Sequence, residues 1–339
     1  MKWRLAGTGA VLALALVFLF LNRSQLPLAW AASRRANPAL LAAAAGVSLL
    51  YLANYGAMYR AAYRAVGLDI PFFAAFRSAN SAHFLNMTVV NSGGMAGMAV
   101  FLREARERGH GRGLVVSAYL LVALLGHFVF AFVLAAALAV AASDGNIGRI
   151  ELLATAVFIV YTVFSTALLI AAARSRNAVR WLHRRPAAVR DWLSIRLGRS
   201  VDARTASTEA ADELYDALRM MLRRPAAMVR PAIHALLSEV AGVSALWFCL
   251  RAFGIDASIE EPLVAYSMGV LFGIVGFLPA GIGFAEAGLS VALSSFGLSG
   301  VDIALTVVTY RIFEVWVPYV AGAVSLHASF RRPLAADAG

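Results

Sequence analysis

The sequence predicts an all-α integral membrane protein: a single polytopic domain over 1–339, with about six full transmembrane helices and two re-entrant broken-helix hairpins. Three observations carry that prediction. Hydrophobic residues make up 61% of the chain and charged residues 14%, well under the roughly 25% charged of an ordinary soluble domain, and mean hydropathy is +0.73. Several apolar runs reach the ~20 residues that a helix needs to cross a ~30 Å hydrocarbon core. The 30 Lys and Arg outnumber the 19 Asp and Glu, and they sit mainly between those runs, where the positive-inside bias puts them. That placement argues against nucleic acid as a partner.

The first run, Leu5 to Leu21, follows Lys2 and Arg4. It exceeds the 7–15 residues of a secretory signal core, and it reads as a retained span. Further spans are expected over Pro38–Met58, Leu114–Ala141, Ile150–Ala173, Ala232–Arg251 and Val301–His327. Two other apolar stretches, Ile70–Leu102 and Pro262–Phe296, are too long for one simple span and are broken in their middles. The first breaks at Asn91-Ser92-Gly93-Gly94, the second at Pro279-Ala280-Gly281-Ile282-Gly283. Glycine and proline weaken helix continuation there, and in lipid such a break survives only against protein or a wet cavity. Each stretch is therefore expected to form a hairpin of two half-helices.

Charge sets the expected orientation. Segment 174–230 carries 13 arginines against six acids and reads as cytoplasmic, with an amphipathic helix built on Leu214, Leu218 and Met221. Link 254–262 has Asp256, Glu260 and Glu261 without Lys or Arg and reads as external. Both termini then fall inside, although Arg23, Arg34 and Arg35 on the first external link run against the rule. The two hairpins would enter from opposite sides. They share a register of 188 residues that aligns Asn91 with Pro279, Gly93 with Gly281 and Gly109 with Gly297, a pattern compatible with an inverted repeat.

Ionisable residues inside apolar runs are costly and mark candidate sites. Arg311 lies ten residues into its span, with Glu314 three residues on and so on the same helical face. Glu286 sits three residues after Gly283, in the first turn of a half-helix whose free N–H groups favour an anion. The three form either an ion network that pins the second hairpin to the last span or a site for a charged headgroup or proton. Arg77, Asn80, His83, Asn86 and Asn91 make the first hairpin unusually polar, as a groove lining or as interhelical hydrogen bonds. His83 and His127 read as packing residues, and the single cysteine, Cys249, as a small buried hydrophobe. The sequence contains no HExxH, G-x-S-x-G or phosphate-cradling glycine loop. Neither catalysis nor a cofactor or metal is expected.

Pro279-Ala-Gly-Ile-Gly-Phe-Ala-Glu286, followed by Gly297, Arg311, Pro318 and Gly322, resembles the signature of the lysylphosphatidylglycerol synthase transmembrane-region family, also called flippase-like. Asn86 and the break Asn91 to Gly97 are similar to that family's earlier motif. Ala280 stands where the family commonly has glycine, and Asn91 where it often has proline. The resemblance covers nearly the whole chain. It implies translocation of a lipid or lipid-linked intermediate, with Glu286, Arg311, Glu314, Asn86 and Asn91 in the path and Gly93, Gly94, Pro279, Gly281 and Gly283 forming the breaks. Fused relatives carry a soluble aminoacyl-transferase domain. This chain ends nine residues after Phe330, so the expectation is a stand-alone member that does not aminoacylate.

The implied partners are membrane lipids, an anionic or aminoacylated phospholipid or a polyprenyl-linked lipid, in a bacterial cytoplasmic membrane. Two other readings stay open: a membrane enzyme acting on a lipid phosphate, and a non-catalytic partner of a lipid synthase or glycosyltransferase that docks through 174–230.

Overall fold

The structure, a computed structural model, describes residues 34–88, 94–143, 149–177, 212, 214–220, 223–276 and 278–330. The expected span Leu5–Leu21, Asn91, Gly93, Met221 and most of the Arg-rich segment lie outside those residues. Every regular element among the described residues is helical. The first five are α1 Pro38–Ala65, α2 Phe72–Thr88, α3 Met95–Arg108, α4 Arg112–Ser143 and α5 Arg149–Arg174. They are followed by α6 Pro225–Ala252, α7 Glu260–Val275, a 3-10 turn Pro279–Gly281, α8 Phe284–Ser295, α9 Gly300–Arg311, a π turn Ile312–Trp316 and α10 Val317–Phe330.

Among the described residues, four stretches are long and apolar enough to cross a membrane: Pro38–Ala65, Arg112–Ala142, Pro225–Ala252 and Gly300–Ser329. Three boundaries differ from expectation. Helix α1 runs seven residues past Met58, because the sequence stays helix-competent through Tyr59, Tyr63 and Ala65, which are buried. Helix α3 continues past Leu102 to Arg108 and closes on Gly109 at φ +68°, so residues 103–108 extend the hairpin arm as helix. Helix α6 starts at Pro225 and continues through Pro231, since an isolated proline is tolerated where neighbouring groups re-satisfy the backbone.

The two broken stretches form antiparallel hairpins. Their arms have 17 and 14 residues in α2 and α3, and 16 and 12 in α7 and α8. At 1.5 Å per residue each arm is about 18–26 Å long, short of a ~30 Å core. In the second hairpin Gly269 lies against Leu289 and Gly276 against Phe284, which lets the two backbones approach closely.

The two halves of the chain repeat each other helix by helix. Pro38 and Pro225, Phe72 and Glu260, Met95 and Phe284, and Arg112 and Gly300 open corresponding helices at separations of 187, 188, 189 and 188 residues. Helices α1 and α6 run antiparallel: the Asn37 N–H donates to the Ala252 carbonyl (2.8 Å), while Asn54 Nδ2 donates to the His234 carbonyl (2.7 Å) and to Ser238 Oγ (2.9 Å). The second half is therefore the first turned over. Opposed hairpins meet at the centre, and α10 closes on α2 where the rings of Phe84 and Tyr319 meet at a tilt of 53° with centroids 4.6 Å apart. The short helical piece at 214–220 packs Leu214, Tyr215 and Leu218 against the core around α1 and α3. Arg176, after α5, pairs with its Asp216 at 2.9 Å.

Candidate functional site

The second break folds back on itself through left-handed residues. Ala280 has φ +52° and Gly281 φ +65°. A Cβ on Gly281 would come within 2.8 Å of Gly273 Cα, so position 281 requires glycine on both grounds. Ala280 is the one non-glycine residue at positive φ among those described, a backbone conformation that suits glycine better. Pro279 opens the 3-10 turn, and Gly283, at φ +82°, caps α8.

This turn is fastened from two directions. Glu286 Oε2 accepts from the Gly283 N–H at 2.6 Å, tying one of the orphan donors at the start of α8. From α9, Arg311 donates through Nε to Glu286 Oε1 (2.9 Å), through Nη1 to Glu314 Oε2 (2.8 Å) and through Nη2 to the Ala280 carbonyl (2.8 Å). Arg311 is 4% exposed, and the side chains of Glu286 and Glu314 are 19% and 27% exposed. One guanidinium therefore holds two carboxylates and the strained turn together, and with both acids ionised the cluster carries one net negative charge.

The π turn Ile312–Trp316 follows directly. Pro318 has no N–H and its ring crowds the Glu314 carbonyl, so the helix widens there. Ser48 Oγ on α1 donates to the Phe313 carbonyl at 2.7 Å. Such turns recur at functional sites.

Two cavities border Arg311 and Glu314, and a third adjoins the first of them at Tyr51, Ser238 and Tyr266. One of about 270 Å³ is lined by Ser48, Tyr51, His83, Tyr310, Arg311 and Glu314. A second, of about 410 Å³, lies between the hairpins, with His83 and Asn86 on one side and Gly273, Pro279, Ala280, Gly281, Arg311 and Glu314 on the other. A third, of about 690 Å³, is lined by Tyr51, Tyr55, Tyr59, Asn86, Tyr119, Glu239 and Tyr266.

Helix α2 supplies a different chemistry. Asn86 Oδ1 accepts from the Gly97 N–H (2.8 Å) and its Nδ2 donates to Tyr119 Oη (2.9 Å), while the Tyr119 hydroxyl donates to the Gly94 carbonyl (2.8 Å). A Cβ on Gly97 would strike the Asn86 amide at 2.6 Å. Asn86 thus clasps the first break while its side chain still borders two cavities. Asn80 does not reach a groove: it is fully buried, with Nδ2 on the Phe76 carbonyl at 2.7 Å. His83 packs beside Tyr55 at 5.3 Å and His127 beside Tyr161 at 5.3 Å.

The structure brings Glu286, Arg311 and Glu314 together and sets Asn86 across the cavity from them; Gly94 caps α3 at φ +84°, and Asn91 and Gly93 are outside the described residues. Sequence reasoning missed Glu239, whose Oε2 accepts from Tyr266 Oη at 2.9 Å on the wall of the 690 Å³ cavity. The signal was available, since Glu239 is an acid within the apolar run Ala232–Arg251. It also missed the buried Glu104, which accepts from Ser78 Oγ and from Arg108 Nε.

A family model described as the lysylphosphatidylglycerol synthase TM region matches residues 7–322. No curated protein matches the chain.

Proposed function

The chain belongs to the lysylphosphatidylglycerol synthase transmembrane-region family, a membrane family with a lipid-related role, and we propose on that premise that it is a translocase. It moves a phospholipid or lipid-linked intermediate between leaflets of the bacterial cytoplasmic membrane, with both termini cytoplasmic. The observation that carries this reading is the pair Arg311 and Glu314, with Glu286 bound behind Arg311, on the wall of cavities flanked by both hairpins. A headgroup occupies the cavity while its acyl chains stay in lipid.

The chemistry follows from what Arg311 holds. Three of its N–H donors are committed to Glu286, Glu314 and the Ala280 carbonyl. A headgroup phosphate entering the cavity competes with Glu314 for Nη1, since charge-assisted bonds to either anion are of comparable strength. Release of Glu314 loosens the link between α9 and the π turn without exposing the guanidinium unpaired. Glu286 stays on the Gly283 N–H and keeps the turn formed. Such an exchange binds phosphate transiently, as a carrier requires, rather than tightly.

The test is leaflet exchange of fluorescent phospholipids in proteoliposomes, comparing wild type with Glu286→Gln and Arg311→Lys variants whose folding is checked by thermal melting. Exchange that collapses in both folded variants supports the assignment. Wild-type rates in both would remove the cluster from the path. Absence of exchange in wild type across anionic, aminoacylated and polyprenyl lipids would replace translocation with the partner reading, which pull-downs with and without 174–230 then address.

A further inference from the structure

Another pocket lies away from the ion cluster, between the end of α1 and the start of α6. It encloses about 360 Å³ and is lined by Arg60, Arg64, Arg230 and His234, with Phe72 and small residues completing the wall. Three guanidinium groups line it, and among the described residues the acid paired with them is Asp69. Arg64 Nε donates to Asp69 Oδ1 at 2.9 Å, and that bond holds the Asp69 carboxyl below the ordinary carboxylate range, so Asp69 stays charged at neutral pH. With Asp69 subtracted, the three arginines leave a net charge of about +2 at the pocket.

The arrangement is pre-oriented. Arg60 is half-buried, and its Nε donates to the Ile70 carbonyl at 3.0 Å, which sets the plane of its guanidinium. Arg230 is exposed on the second turn of α6. The first turn of the same 28-residue helix lines the pocket through Ala226 and Ala227, and its dipole adds positive potential. His234 Nδ1 meets Asn54 Oδ1 at 2.7 Å, and Asn54 Nδ2 reaches Ser238 Oγ at 2.9 Å. Ser238 in turn borders the 270 and 690 Å³ cavities. Arg230, His234 and Ser238 recur every fourth residue, so one polar face of α6 runs from the pocket to the centre.

We propose that this pocket is a docking site for a phosphate anion, carried by a lipid headgroup or by a soluble phosphate ester. Planar guanidinium groups match phosphate oxygens with two parallel bonds, and basic pockets between membrane helices suit anionic headgroups. The polar face toward Ser238 makes the site the mouth of the translocation path, a link that rests on the translocase reading. Phosphate binding itself does not.

The test uses the full chain in neutral detergent, with lipid retention followed by native mass spectrometry. The probes are phosphatidylglycerol, phosphatidylcholine and, as soluble ester, glycerol 1-phosphate. Wild type is expected to prefer phosphatidylglycerol, and Arg230→Gln to weaken it about tenfold, as loss of one charged hydrogen-bonding partner does. Arg64→Gln/Arg230→Gln abolishes the preference, Arg230→Lys restores part of it, and Arg223→Gln, an exposed arginine outside the pocket, leaves it intact. Arg230-dependent binding of glycerol 1-phosphate without lipid preference assigns the site to a soluble ester. Equal phosphatidylglycerol retention in wild type and the double variant, with no glycerol 1-phosphate bound, overturns the proposal. Since no transport is measured, failure of leaflet exchange leaves this outcome untouched, and the converse holds too.

Discussion

The two hairpins do the same mechanical job with opposite chemistry. In the first, a residue of the following long helix, Tyr119, donates to the Gly94 carbonyl at the break, and Asn86 accepts from the Gly97 N–H. In the second, Arg311 from the following long helix donates to the Ala280 carbonyl, and Glu286 accepts from the Gly283 N–H. Each break is thus bound by one donor from the next helix and one acceptor at the start of the second arm or the end of the first. The first clasp is neutral and the second ionic. At the repeat offset of 188, the counterparts of Glu286, Arg311 and Glu314 are Met98, Ala123 and Gly126. A neutral clasp holds the first break, and the charge that replaces it in the second half is what the proposed function rests on.

The comparison can be broken most severely at Arg311. Arg311→Ala leaves two carboxylates without their cation and is expected to cost roughly 3–5 kcal/mol, read as a large drop in thermal midpoint in detergent. The triple variant Glu286→Gln/Arg311→Met/Glu314→Gln removes every charge and recovers most of that loss, while leaflet exchange stays abolished in both. Restored exchange in the triple variant would reduce the ions to scaffolding. Next comes Gly322→Val, because any Cβ there would lie 2.5 Å from the Asn80 carbonyl oxygen and 2.6 Å from Phe84 Cβ. Forcing α10 off α2 costs about 1–3 kcal/mol, measurable by the same melting curve.

Tyr119→Phe probes the neutral clasp. It deletes one hydroxyl that serves both Asn86 and the Gly94 carbonyl, for a loss of about 1–2 kcal/mol, with exchange rates unchanged. A transport defect as deep as that of Arg311→Lys would erase the distinction between the two clasps. Smallest is Ala280→Gly, expected to stabilise by about 0.5–1 kcal/mol, because alanine at φ +52° is strained where glycine is not.

Much of this architecture is legible in the amino-acid sequence, and the reasons are physical. An ionised group in an apolar run has no cheap solution, so Glu286, Arg311 and Glu314 stand out; Glu239 sends the same signal from a run otherwise read only as a span. The breaks are legible because glycine and proline act locally. The partnership of Asn86 with Tyr119 is not, since it joins residues 33 apart, one on α2 and one on α4, and no local pattern encodes that meeting. The repeat shows only three matched positions in sequence, yet the helix starts correspond throughout. Helix starts depend on lengths and caps that many residue types satisfy, so architecture persists where identity does not.

The π turn has a consequence for which way a single helix faces. Arg311 and Gly322 are eleven residues apart, close to three full turns at 3.6 residues per turn, so an unbroken α-helix would point both the same way. One extra residue in the ladder shifts the phase by about 100°. Arg311 therefore turns to the second hairpin while Gly322 meets the first. The corresponding helix α4 runs from Arg112 to Ser143 as unbroken α-helix, with no such shift of phase. Deleting one residue within 312–316 would bring the two ends of the last span back into step, and the helix would have to choose which hairpin to keep.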